Sequence, residues 1–292
     1  MILLIIRPGK FEAVILRGIL ICISFIFALR AENTATTAST SKEGVELPII
    51  MYHHITENPS KAGKYTLLLN EFKKDISMIK EKGYTPVTVK DLIGYVNGEH
   101  ALPEKPIMIT FDDGFESFAV LAYPILKENN MKAVVSVIGK VTEQYSASED
   151  HNINYSNLNF NRINELLYDG FVEIQNHSYD MHNSYRGKRI GKSKLPEEDT
   201  EQYKKALSED LLTVQKILKR RCGITPECVV YPFGAYSKET LDIIKKLGFK
   251  STMLCEERVN VIEKSNPLSL YNLGRYNRES GISSEEFFSR FE

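Results

Sequence analysis

The sequence predicts an α/β fold in which parallel strands are backed by helices, and two observations predict it. From Leu47 onward, short apolar runs alternate with segments of helical periodicity, the order expected of strand–helix units. Three of those runs end at Asp112-Asp113, His177 and Tyr231-Pro232. In parallel sheets that C-terminal edge is where sites are built. The chain has 292 residues, which one barrel-sized domain of roughly 250 would nearly fill.

The elements follow in order. Arg7, Lys10 and Arg17 precede an apolar run from Gly18 to Leu29, with small residues at Ala28 and Ala31. Residues 1–31 therefore read as an export signal. The stretch from Ala13 to Leu29 is also nearly long enough to span a bilayer, so an uncleaved membrane anchor stands beside it. Residues 32–46 are small, polar and non-periodic, as a flexible linker is, and residues 47–292 form the domain.

Pro48 to Tyr52 is a strand. Asn70 caps a helix with Phe72, Ile76 and Ile79 on one face and Gly83 as its stop. Thr88 to Val96 holds a short strand and helix. Pro106 to Phe111 is a buried strand, and a helix covers Ser117 to Asn129. Lys132 to Ile138 is almost wholly apolar, as a strand covered on both faces should be. Lys140 to Asn157 reads as a loop, Asn161 to Tyr168 as a helix stopped by Gly170, and Phe171 to Gln175 as a strand leading into His177. A basic loop, Arg186 to Lys194, reads as solvated surface. Beyond it come a long amphipathic helix (Glu198 to Arg221), a strand (Cys228 to Tyr231), a helix (Ser237 to Leu247) and a strand (Ser251 to Leu254).

Composition narrows the function. The net charge of -1 supplies no basic field for nucleic acid. Trp is absent, so any aromatic platform for a sugar comes from Tyr or Phe. Cys22 lies in the apolar N-terminal run. Cys222 and Cys228 flank a short turn and could be bridged in an exported protein; free thiols at Cys222, Cys228 and Cys255 are the other reading. Their spacing is not that of a zinc knuckle.

The chemistry starts from the acidic pair. Adjacent residues on a strand point to opposite faces, but at a strand end followed by Gly114 the chain turns and both carboxylates can face one pocket. One can then hold a metal while the other stays free as a base. A helix-capping turn is the plainer use of such a pair. His177 and His182 share neither a helix face nor a strand face, so they converge only if the loop between them curls. With one carboxylate they make a set suited to a catalytic divalent ion. Amide hydrolysis also needs an acid for the leaving amine. The six histidines are His53, His54, His100, His151, His177 and His182, so a histidine acid comes from the first half. His53 and His54, at a strand end, fit that need better than His100 and His151 in polar loops.

Together these residues resemble the polysaccharide deacetylases of the NodB homology group, carbohydrate esterase family 4. Thr110-Phe111-Asp112-Asp113-Gly114 matches the family's first motif. His177-Ser178 with His182 looks like the second, one residue longer than the commoner form. That spacing, with the early Tyr52-His53, is similar to the permuted subgroup acting on poly-β-1,6-N-acetylglucosamine. The resemblance covers Leu47 to the C-terminus. It implies a distorted (β/α) barrel forming a single catalytic domain. It implies a divalent metal, zinc or else cobalt, nickel or iron, on Asp113, His177 and His182. Asp112 would be the base and His53 the acid, and the Phe233 N–H would hold the oxyanion. Tyr231-Pro232-Phe233-Gly234 departs from the third motif, because Val230 stands where the family has an arginine that orients the base. Arg275 is the expected substitute, with Arg278 as its competitor. The implied partner is an acetylated polysaccharide met outside the cell by a monomeric enzyme. Peptidoglycan, chitin-like oligomers and acetyl xylan are alternative substrates. A catalytically weak glycan-binding envelope protein is the alternative of another class, and a metal-dependent phosphatase or nuclease is a third.

Overall fold

The computed structural model describes residues 44–184 and 189–292. The predicted export segment, most of the linker and part of the basic loop lie outside the described residues. Twelve strands are described: β1 (Gly44–Leu47), β2 (Ile49–Tyr52), β3 (His54–Thr56), β4 (Thr66–Leu68), β5 (Thr85–Pro86), β6 (Pro106–Phe111), β7 (Ala133–Ile138), β8 (Val172–Ser178), β9 (Cys228–Val230), β10 (Ser251–Met253), β11 (Asn260–Glu263) and β12 (Tyr276–Asn277). The α-helices are α1 (Leu69–Glu81), α2 (Val89–Val96), α3 (Tyr123–Glu128), α4 (Gly139–Ser148), α5 (Phe160–Leu167), α6 (Thr200–Cys222), α7 (Thr240–Lys246) and α8 (Ser284–Phe288).

The main sheet runs β10-β9-β8-β7-β6-β2-β12, and β5 joins the start of β6. Every pairing along it is parallel. The last segment touches both ends of the row: Leu273 bridges Met253 of β10, while Tyr276 and Asn277 pair with β2. The sheet therefore curls round on itself into a distorted barrel, as the resemblance implies.

Strand parity explains how it packs. Ile107, Ile109 and Phe111 join a cluster with Phe72, Ile76 and Ile79 of α1. Met108 packs instead with Ile49, Val134, Val230 and Met253. A strand covered on both faces must be apolar throughout, and β6 is buried at all six residues. Each fully buried Phe or Ile contributes about 1.5–3 kcal/mol.

Several boundaries differ from the sequence reading. The domain starts at Gly44, inside the predicted linker, because β1 pairs antiparallel with β11. Asn70 lies within α1; the helix begins after Leu68, whose N–H donates to Glu71. The helix expected from Ser117 opens with a wide π turn, Phe118–Ala122, before α3. Residues 139–148, read as loop, form α4, where only Gly139 and Thr142 are buried, so no apolar stripe marks it. Lys192, assigned to a solvated basic loop, is fully buried against Asp210. Cys222, Cys228 and Cys255 are free thiols. Cys222 packs against the cluster of α1 and β6, whereas Cys228 lies in the cluster with Met108. Burial pushes the two thiols up to about 11 and about 12. Among the described residues, no helix is long and apolar enough to cross a membrane.

Candidate active site

The parity of β6 continues past its end. Met108, Thr110 and Asp112 share one face, so Asp112 points where Thr110 points. Asp113 then departs from strand geometry at φ +68 and Gly114 follows at φ +69. A Cβ on Gly114 would sit 3.0 Å from the Val137 side chain, so glycine serves both the turn and the close approach. The turn swings the second carboxylate to the same side as the first, as the acidic pair requires.

Asp113 Oδ1 lies 3.3 Å from His177 Nε2 and 3.0 Å from His182 Nε2. These separations suit two ligands of one ion with bonds of ~2.0–2.2 Å. Asp113 Oδ1 is buried and takes no hydrogen bond of good geometry. His177 Nδ1 lies 3.0 Å from the Val230 carbonyl; a proton held there leaves Nε2 as the free ligand atom. A carboxylate oxygen without a donor, faced by two imidazoles, is the environment a cation completes. The residues present thus fit a divalent metal. Burial raises the Asp113 carboxyl, but the two histidines outweigh it and hold it well below the usual range.

Asp112 stands outside this triangle. Arg275 donates to both its oxygens at 2.7 Å, and Ser136 Oγ donates to Oδ1 at 2.9 Å. Arg275 is itself fully buried and donates to the Leu254 carbonyl and Thr110 Oγ1. Burial alone would raise Asp112; the adjacent guanidinium outweighs it and keeps the carboxylate ionised. Arg278 is taken by Asp75 instead, at 2.8 and 3.1 Å. Val230, in the position of the family arginine, is buried apolar packing.

Asp112, Asp113, His177 and His182 line a cavity of about 740 Å³. His53 and His54 both line it, but they are held differently. His54 Nδ1 lies 2.8 Å from Ser117 Oγ. The His53 ring lies tilted against Tyr65, with centroids 4.9 Å apart. Burial lowers the His53 pKa, while the charges of Asp112 and Asp113 oppose that shift. Phe233 adopts φ +59, a conformation costing a non-glycine residue about 1–2 kcal/mol. Its ring lies 4.7 Å from that of His182. His100 lies away from this cavity, against the Asp91 carbonyl, and His151 lies 3.3 Å from the buried Glu116.

Sequence reasoning missed Ser136, although it is the one polar residue in the apolar β7 run. It also missed Tyr65 and Tyr155 on the cavity rim, where exposed aromatics carry no periodic signal.

The family described as polysaccharide deacetylase matches residues 99–252, more than half of the chain. The poly-beta-1,6-N-acetyl-D-glucosamine N-deacetylase of Escherichia coli (strain K12) is 21% identical over 68% of this chain and 32% of its own. The protein of that name from Staphylococcus aureus (strain MRSA252) is 27% identical over 66% of this chain and 62% of its own. The chain thus spans about a third and under two thirds of these relatives. Among solved structures, a de-N-acetylase from Aggregatibacter actinomycetemcomitans superposes with a TM-score of 0.69 at 24% identity, covering 84% of this chain and 98% of the other.

Proposed function

This chain belongs to the polysaccharide deacetylase family, and from that premise we propose that it hydrolyses N-acetyl groups of a poly-β-1,6-N-acetylglucosamine polymer outside the cell, releasing acetate. One observation carries the reading: a carboxylate locked by Arg275, outside a three-ligand cluster but on the floor of the same cavity. One set can bind while the other moves a proton.

Asp113, His177 and His182 would hold the metal; their N and O donors suit zinc, with cobalt, nickel or iron as other fits. When bound, the ion supplies Lewis-acid polarisation of the acetyl carbonyl and acidifies water. Asp112 takes the proton of the attacking water, with Arg275 and Ser136 fixing both carboxylate oxygens. The Phe233 N–H donates to the developing oxyanion. His53 gives a proton to the glucosamine nitrogen as the C–N bond breaks. Tyr65, Tyr155 and Phe233 rim the cavity and are each about half exposed, and such rings pack against apolar sugar faces. A polymer substrate agrees with export through residues 1–31, cleaved or anchored.

The test is acetate release by the zinc-loaded protein from poly-β-1,6-N-acetylglucosamine and, in parallel, from peptidoglycan and acetyl xylan. Release from the first polymer is expected to dominate. Faster release from peptidoglycan would move the substrate assignment. No release from any glycan, with zinc bound, would favour a binding protein.

A further inference from the structure

The segment between His177 and His182 has to curl for the two rings to meet. Asp210, on α6, lies against that curl. Its Oδ1 accepts from the N–H of Asp180 at 2.7 Å and of Met181 at 3.0 Å, and its Oδ2 accepts from the N–H of Tyr179 at 3.1 Å. Three successive amides thus converge on one side chain, in the manner of a backbone anion nest.

Lys192 completes the arrangement. Its Nζ donates to Asp210 Oδ2 at 2.8 Å, and its side chain is wholly buried. Its N–H donates to the Ala235 carbonyl at 3.0 Å, and its own carbonyl accepts from the Tyr203 hydroxyl. Gly191 beside it, at φ +49, donates to the Asn183 carbonyl, and a Cβ there would lie 2.4 Å from the Pro232 carbonyl. One buried ion pair therefore joins the segment carrying His182 to the turn carrying Phe233.

Stability alone is a poor reason for such a pair, since well-packed apolar groups often serve as well. We propose that Asp210, paired with Lys192, is a positioning residue that preforms the His177–His182 loop for the metal. This rests on reading Asp113, His177 and His182 as the metal site.

The experiment measures zinc affinity by competition with a chromophoric chelator, on the intact protein and on Asp210→Asn, Lys192→Met and Asp75→Asn. Loss of partners that orient metal ligands weakens affinity roughly 10–100-fold. Asp210→Asn and Lys192→Met are expected in that range. Asp75→Asn, which breaks an equally buried pair away from the ligands, is expected to lower Tm while affinity stays within about twofold. A second measurement needs no variant. In the metal-free wild-type protein the amides of Tyr179, Asp180 and Met181 should exchange as slowly as those of α6. Unchanged affinity in folded Asp210→Asn and Lys192→Met would overturn the proposal. So would fast exchange of the three amides that slows only when zinc is added. A wild-type protein that takes up no zinc would instead remove the metal site, and the exchange rates would then judge the clamp.

Discussion

Arg275 and Arg278 lie three residues apart on the segment that closes the sheet, and they make the same bond to different ends. Each is buried, and each forks onto a buried aspartate. Asp75 also accepts from the Tyr52 hydroxyl and from Ser284 Oγ, so its oxygens are used up between α1 and α8. Asp112 accepts from Arg275 and Ser136 and faces the cavity. Burial prevails at Asp75 and raises its pKa; at Asp112 burial is outweighed by Arg275 and the pKa is lowered. An identical fork makes a cross-link where the carboxylate is enclosed, and holds an ionised carboxylate, the proposed base, where it meets a pocket.

Five measurements break or sharpen that contrast. Asp112→Asn should retain stoichiometric zinc and lose kcat by roughly 10⁴-fold, the upper range for a proton-transfer group; full turnover would remove the base assignment. Arg275→Met should lower kcat/KM by about 10²–10³-fold and, by stranding a buried charge, cost about 3–5 kcal/mol in urea unfolding. Arg278→Met should cost similar stability but leave kcat/KM of the folded protein within about threefold. Equal losses of activity would erase the distinction between the two arginines.

The fourth measurement is the pH profile. A lowered pKa puts the acid limb of kcat/KM below ~3.9, the ordinary aspartate value. Removing the Arg275 charge destabilises the ionised form, so in Arg275→Met the limb should move up by about 1–3 units. The same signs govern folding. Asp112 contributes stability above the unfolded pKa and loses it as pH falls, whereas Asp75, with a raised pKa, favours the folded state in acid. The smallest effect is expected at the rim. Tyr65→Ala should raise KM for an oligosaccharide about fivefold with kcat unchanged, the equivalent of ~1 kcal/mol of ring contact. A change confined to kcat would point to its contact with His53 instead.

Much of this was legible in the sequence. The apolar runs of β6 and β7 named those strands because burial on both faces leaves little other composition. The Asp112-Asp113-Gly114 turn marked the candidate site because a strand end, two carboxylates and a glycine occur together. α4 and β11 were missed, since a half-exposed helix and a short edge strand lack periodicity. Lys192 was misread for a different reason: sequence registers that a residue is charged, but not that an aspartate waits 18 positions later on a helix packed over it.

The sequence by itself determined the alternation of elements, the edge at which polar residues gather, and the residue types able to bind a metal or move a proton. These follow from local chemistry and short spacing. Only the tertiary structure decided between Arg275 and Arg278, set His53 beside Asp112 and Asp113, and anchored the His177–His182 loop on Asp210. Each of those choices depends on which distant segment closes against the sheet. A buried charge settles on the partner that compensates its lost hydration, and that partner is fixed by packing, not by neighbours in sequence.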